Sequence, residues 1–364
     1  ILTDVETLPR SILFWRSLTH WIGGFGIIAM VILIFPTFRT TGYRMFGLES
    51  SLKEKIQPKT TSTILRLLFI YLGLTFAEVS LLWVGDMDLF ESLCHAFGTV
   101  ATGGFSTRNA GLAYYSTYSQ YIVMIFMFLS GISQVVYYYL VKLNFKKVKR
   151  NDELFFYLAV IIISGTIATS ILFSFSGKTF ESSFREGFFQ VVSIITCTGF
   201  ANADYTLWPV PGIMLLFLLM FSGGCTGSTS GGIKMARHLI VLKNIKNIFV
   251  KLTHPDSVST VKFNGNSLSE KSSNSIMTFI VVYLFIFLLG SIILTLDGSD
   301  IMTSASSAAT CMAGIGPGMA TVGPMSNYEH LHSISKVTLS ILMILGRLEI
   351  FTFIVIFTRS FWKE

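Results

Sequence analysis

Charge is what this chain has least of. Only 13% of its 364 residues are Asp, Glu, Lys or Arg, while 52% are hydrophobic. Soluble domains carry about 25% charged residues, so a fold bathed on all sides by water is excluded and an integral membrane protein is implied. Cysteine is nearly as scarce. Cys94, Cys197, Cys225 and Cys311 are scattered, with no CxxC spacing. That argues against a disulfide framework or a thiolate metal centre and leaves small-residue packing as their use. There is no HExxH, no His/Cys cluster at ligand spacing and no complete phosphate-binding loop, so an enzyme or a membrane ATPase subunit is disfavoured. No signal peptide precedes the first apolar run. The chain opens on Ile1 rather than methionine and reads as one whose N-terminal portion is missing.

The net charge of +7 would direct a soluble protein toward nucleic acid. Here the basic residues collect in particular loops, so no nucleic-acid partner is expected and the charge reports topology instead. Basic stretches lie at Thr37–Lys59, Lys142–Arg150, Lys234–Lys271 and the C-terminus, and acidic Asp86, Asp88, Asp204, Asp297 and Asp300 lie between them. The positive-inside rule then places the basic loops in the cytoplasm and the intervening loops outside.

What the chain does have is one pattern three times. FGTVATGGFST (Phe97–Thr107), SIITCTGFANAD (Ser193–Asp204) and AATCMAGIGPGMAT (Ala308–Thr321) each follow a short apolar run opened by acidic or small polar residues. From Asp88 to Gly103 is fifteen residues, from Ser182 to Gly199 seventeen, and from Asp300 to Gly316 sixteen. A helix of about ten residues covers roughly 15 Å, half of a bilayer core. Each unit therefore reads as a helix that dips to mid-membrane and returns as extended, glycine-bearing backbone. Irregular backbone at that depth survives only where protein buries it or where it lines a watery cavity. A ring of such carbonyls can replace a cation's hydration shell, with the negative ends of the short helices aimed at the ion. The bland reading is that the three glycines mark tight connections; matched spacing in three copies weighs against it.

Full spans alternate with these units, at Ile12–Phe35, Ser62–Val84, Tyr118–Tyr139, Phe155–Phe175, Ser275–Leu296 and Ser333–Phe357. The first ends at Pro36, and its WIGGFGI run supplies small residues for close helix packing. The order span, half-helix, loop, span repeats three times after a solitary span. It divides the chain into 1–36, the end of an incomplete first repeat, then 60–150, 151–250 and 272–364.

Pro211–Val250 would be near 60 Å if helical, twice a bilayer core. Its middle, FSGGCTGSTSGGIK (Phe221–Lys234), carries five glycines and predicts two half-helices around an intramembrane loop, either a gate or a structural kink. The spacing Gly227 to Gly232 imitates a phosphate-binding loop, but Ile233 stands where lysine is required. Lys234 either closes the loop by hydrogen bonding or marks a membrane boundary. Arg347 falls near mid-span in the last helix, where a cation lines a water path or takes a partner such as a carboxylate or the filter-loop carbonyls. Glu349 is two residues away and off its helix face. Glu78, Arg16 and His20 read as packing or pairing residues.

The motifs LPRSILFWRSLTHWIGGFGI (Leu8–Ile27), VATGGFST (Val100–Thr107), TCTGFANADY (Thr196–Tyr205), GGCTGSTSGGIK (Gly223–Lys234), GIGPG (Gly314–Gly318) and LGRLEIFT (Leu345–Thr352) occur in that order from end to end. Through them the chain resembles the Trk/Ktr/HKT superfamily of potassium transporters, of the TrkH type. The resemblance implies an all-α polytopic membrane protein, with four M1–pore-loop–M2 repeats in pseudo-fourfold arrangement around one ion pore, in a homodimer. The implied potassium-binding filter comprises Ala101, Thr102 and Gly103; Thr196, Cys197, Thr198 and Gly199; and Gly314, Ile315 and Gly316. The filter glycines fall on Gly103, Gly199 and Gly316, and the first filter of the family would precede Ile1. In plant relatives a serine at that first glycine accompanies sodium transport; glycine at the other three positions favours potassium.

The implied gate comprises Gly223, Gly224, Gly227, Gly231, Gly232 and Lys234, with Arg347 as the pore arginine. A cytosolic ring of TrkA-like nucleotide-binding regulatory subunits is the implied partner, and NAD or ATP would bind there rather than on this chain. Basic segments such as Lys146–Arg150 and Lys243–Lys251 would serve as docking surfaces or as contacts for anionic membrane lipid. The expected activity is potassium uptake across a bacterial inner membrane through a selective, gated pore. The alternative is cation-coupled symport using intramembrane charges such as Glu78 and Arg347.

Overall fold

In the computed structural model, residues 4–33, 60–254, 260–348, 350–356 and 362 are described. The basic stretch at 37–59, Pro36, Glu349, Arg359 and Lys363 lie outside the described residues. The helices in chain order are α1 (Arg10–Leu33), α2 (Thr60–Val84), α3 (Leu89–Val100), α4 (Thr117–Ser130), α5 (Gln134–Val141), α6 (Phe145–Lys149), α7 (Asp152–Phe175), α8 (Phe180–Ile195), α9 (Val210–Leu219), α10 (Met235–Thr253), α11 (Glu270–Leu296), α12 (Ile301–Ala313), α13 (Ser333–Arg347) and α14 (Ile350–Ile356). A two-stranded antiparallel hairpin, β1 (Lys262–Phe263) with β2 (Asn266–Ser267), links α10 to α11.

Among the described residues, Leu65–Val84, Asp152–Phe175 and Glu270–Leu296 are long and apolar enough to cross a bilayer, and the α4–α5 pair qualifies as one bent span. Their outward faces stay apolar: Phe69, Phe76 and Trp83 on α2 are exposed. In water that would be a liability; against lipid it is the expected surface. The short helices α3, α8 and α12 are built differently. Each begins at a side-chain cap that satisfies a first-turn amide: Asp88 accepts from Glu91 N at 2.6 Å, Thr179 from Ser182 N at 3.3 Å, and Asp300 from Thr303 N at 3.0 Å. Each then buries its C-terminal half, because its flanking spans close around it. Thus α3 packs on α1, α2 and α4, α8 on α7, α4 and α9, and α12 on α11 and α13. Tight contacts need small residues at two crossings. A Cβ on Gly24 would come within 2.9 Å of Ala101 Cβ, and one on Gly346 would strike the Met312 carbonyl.

Two expected spans are not continuous. Tyr118–Tyr139 divides into α4 and α5, bent by 93°. The bend lets the freed backbone bond to the glycine loop: Cys225 N donates to Gly131 O at 2.8 Å, and Gln134 N to Gly227 O at 3.2 Å. Ser333–Phe357 likewise divides into α13 and α14 just after Arg347. Pro211–Val250 breaks as expected into α9, the glycine loop and α10.

Candidate functional site

After α3, α8 and α12 the chain turns back through the same backbone steps. Thr102, Cys197 and Gly314 adopt left-handed conformations, with φ of 53°, 55° and 73°. Next come Gly103, Thr198 and Ile315, whose amides return to the last turn of each helix: Gly103 N to Gly98 O at 2.7 Å, Thr198 N to Ser193 O at 2.9 Å, and Ile315 N to Thr310 O at 2.9 Å. Then come Gly104, Gly199 and Gly316, with φ of 74°, 83° and 106°, a region that L side chains avoid. The counterpart of Gly199 and Gly316 is therefore Gly104. Gly103, expected there from the sequence, stands one place earlier beside Thr198 and Ile315. Its neighbour Phe105 matches Phe200, and that Gly-Phe pair was the signal in the sequence.

These turns abut one another. A Cβ on Gly104 would strike the Thr198 carbonyl, and one on Gly199 the Ile315 carbonyl. A Cβ on Gly103 would enter the His20 ring of α1. Passing from α1 through the three units, neighbours in sequence are neighbours in space, which brings the half-helix C-termini together. Flanking polar groups brace the turns from behind. Thr196 Oγ1 lies 2.8 Å from Thr198 Oγ1, Ser193 Oγ donates to Phe200 O at 2.6 Å, and His95 Nε2 lies 2.9 Å from Ser106 Oγ. In the last unit Tyr328 OH donates to Gly316 O at 2.8 Å, and Tyr205 OH reaches across units to Gly318 O at 2.8 Å. Ala101 and Thr196 are the C-caps of the first two half-helices.

The glycine loop lies directly against these turns. Thr229 Oγ1 donates to Val100 O at 3.2 Å, a Cβ on Gly231 would strike Ala313 O, and Cys197 Sγ lies 3.8 Å from Ser222 O. The loop closes on itself as well. Gly223 N donates to Ile233 O at 2.8 Å, Gly224 N to Ser230 Oγ at 3.0 Å, and the Lys234 ammonium to Ser230 O. Gly227 and Gly232 turn with positive φ. Arg347 NH1 donates to Thr229 O at 3.1 Å. Its partner is thus a carbonyl of the glycine loop, where a carboxylate or a carbonyl of the half-helix turns was expected.

Three other intramembrane residues take clear positions. Arg16 and His20 both address Phe105, the guanidinium 3.9 Å from the ring centroid and the imidazole centroid 4.0 Å away. Glu78 is 0% exposed, and neither carboxylate oxygen has a hydrogen-bond donor among the described residues; the adjacent Thr99 hydroxyl gives its proton to His95 O at 2.8 Å. Sequence reasoning passed over Glu153. It is buried in the first turn of α7 and bonded to the glycine loop.

Half-span helices that end in glycine turns, enclosed by full spans and met from one side by an intramembrane loop, define a polytopic membrane protein of the cation-transport class. The family model described as TrkH, cation transport protein, matches residues 1–363, and the chain belongs to that family. Similar proteins include the Trk system potassium uptake protein TrkH of Escherichia coli K12 and TrkI of Halomonas elongata. Each is 32% identical over the whole chain, with 76% and 75% of the relative covered. The crystal structure of the potassium transporter TrkH from Vibrio parahaemolyticus superposes with a TM-score of 0.88 at 28% identity, over 99% of this chain and 75% of that one.

Proposed function

We propose that the chain forms the pore of a potassium uptake system and passes the ion down its gradient through a gated, channel-like path. The observation that carries this reading is the common register of the three turns, with Gly104, Gly199 and Gly316 at matching positions beside converging half-helix ends. Carbonyls of Ala101–Gly104, Thr196–Gly199 and Gly314–Gly316 are the ion ligands in this reading, and the potassium for which the relatives are named is the cargo. The converging helix ends favour a cation electrostatically. The test is Gly199→Ser in the full-length protein: relaxed potassium-over-sodium selectivity in flux assays is expected, and unchanged selectivity overturns the filter assignment.

The loop Gly223–Lys234, clamped by Arg347, is the gate in this reading, because it lies across the inner side of the turns. Deleting part of Gly224–Gly231 is expected to raise leak; an unaltered leak reduces the loop to a kink. Four repeats divided at 1–36, 60–150, 151–250 and 272–364, assembly as a homodimer, basic loops facing the cytosol and a TrkA-like ring carrying NAD or ATP complete the reading. Anionic lipid at the basic loops is consistent with their charge.

Cation-coupled symport is the second reading, favoured by Glu78, whose unaccompanied carboxyl sits beside a pore half-helix where a proton or sodium could bind. A reversal potential that follows the potassium gradient alone supports the channel; one that moves with the sodium or proton gradient supports symport.

A further inference from the structure

The glycine loop's attachments come from several directions, and one of them joins it to the helix that follows. Glu153 is 3% exposed, in the first turn of α7. A single oxygen, Oε1, accepts from Thr226 N at 2.5 Å, Thr226 Oγ1 at 2.8 Å and Ala236 N at 3.1 Å. Thr226 is in the loop, and Ala236 is the second residue of α10.

The start of α10 explains why a carboxylate is needed. Its N-cap position is Lys234, which makes no side-chain capping bond, and no acidic residue lies in its first turn. Met235 N donates to Gly224 O at 3.1 Å and Arg237 N to Lys234 O at 2.9 Å, which leaves the buried Ala236 amide, at the positive end of the helix dipole, without a local acceptor. Glu153 supplies that acceptor from another helix. Charge-assisted bonds of this kind are about twice as strong as neutral ones. The preceding residue grips the same helix farther along. Asp152 pairs with Lys243 at 2.5 Å, seven residues or about two turns beyond Ala236. Asp152 also accepts from Asn264 N at 3.2 Å, and its own amide donates to Asn264 Oδ1 at 2.9 Å. Two adjacent acids thus bind α10 at two levels, one tied to the hairpin and the other to the loop.

We propose that Glu153 is a positioning residue for the gate: its carboxylate holds the glycine loop closed by joining Thr226 to the N-terminus of α10, so that displacement of α10 releases the loop. This rests on the reading of Gly223–Lys234 as a gate. Glu153 touches no ion on this account and leaves the selecting turns alone.

The test uses the full-length protein in liposomes without any regulatory partner. Glu153→Gln keeps the shape but removes the charge that three donors share. Its unstimulated potassium leak is expected to rise about tenfold, the effect of losing one strong bond to a charged group, with potassium-over-sodium selectivity unchanged. Glu153→Asp, which restores the charge on a shorter arm, is expected to recover part of the closure. Thr226→Val removes one donor and is expected to raise leak less, with little added effect in the double variant. A residue that only caps α10 would lower thermal stability in detergent without changing leak, and that outcome overturns the proposal. If Glu153→Gln does not fold, Thr226→Val decides: wild-type leak overturns the proposal and raised leak supports it. A variant deleted within Gly224–Gly231 separates the two levels. Leak from the deletion but not from Glu153→Gln removes the latch and keeps the gate; leak from neither removes both.

Discussion

Gly104 lies against the carbonyl of Thr198, so close that a single added carbon would overlap the oxygen. With φ of 74°, Gly104 is also in a region where a side chain is strained whatever the space around it. At Gly103 the nearest atoms in the way all belong to the imidazole of His20, a side chain that can be removed. Gly104→Ser is therefore expected to abolish selective uptake, and truncating His20 should not rescue it. Gly103→Ser should be impaired alone and recover in combination with His20→Ala. Rubidium uptake by cells expressing the full-length protein, with sodium as competitor, measures both; recovery of Gly104→Ser by His20→Ala would contradict the register.

Arg347 clamps the glycine loop through the Thr229 carbonyl. A hydrogen bond to a charged group contributes about 1.5–3 kcal/mol, so Arg347→Gln should shift the loop's equilibrium by tenfold or more. The expected result is raised unstimulated leak in liposomes. A leak equal to wild type would place the closing force elsewhere.

The bend between α4 and α5 leaves no room at Gly131. A Cβ there would meet the Tyr157 hydroxyl and approach Thr196 Cγ2 at 2.8 Å. Overpacking of this kind costs about 1–3 kcal/mol. Gly131→Ala should lower the melting temperature of the detergent-solubilised protein by several degrees, and Tyr157→Phe should relieve part of the loss. The relief is partial because the hydroxyl also donates to Phe128 O at 2.9 Å.

Asp86, in the turn between α2 and α3, titrates outside the spanning segments. Partial burial raises its carboxyl pKa, but hydrogen bonds from Ser119 Oγ and from the amide and hydroxyl of Ser116 outweigh it and hold the group below its ordinary 3.8. A depressed carboxylate contributes stability that is fully present above the unfolded value and is lost as pH falls through the folded one. Wild type should therefore lose more thermal stability than Asp86→Asn on acidification from pH 5 to pH 3. Parallel melting curves for the two would remove Asp86 as the cause.

The half-helices, the spans that became α2, α7 and α11, and the broken helix were legible because each depends on local facts: run length, an opening cap such as Asp88 or Asp300, and five glycines within Phe221–Lys234. Register was not, because Gly103 and Gly104 are identical letters and only the backbone turn at Thr102 tells them apart. Aligning Phe105 with Phe200 would have revealed it. The bend at Gly131 was hidden for another reason. Its cause is an amide and a carbonyl in a loop about ninety residues away, while the only local mark is the short polar run Ser130, Gly131, Ser133 and Gln134 within a long apolar stretch. Glu153 was hidden by ordinariness, since acids are common in the first turn of any helix. Its partners on the glycine loop and α10 are 73 and 83 residues away.

The Thr229 hydroxyl holds the last carbonyl of α3, and Gly231 presses on the last carbonyl of α12. If the loop is the gate and the turns are the filter, the stopper rests on the underside of the sieve as well as on the surrounding tunnel wall. Cargo held in the sieve and the lid below it would then compete for neighbouring oxygens. A crowded sieve would grip its lid less firmly than a vacant one, so traffic itself would tend to keep the passage clear and an emptied passage would tend to shut.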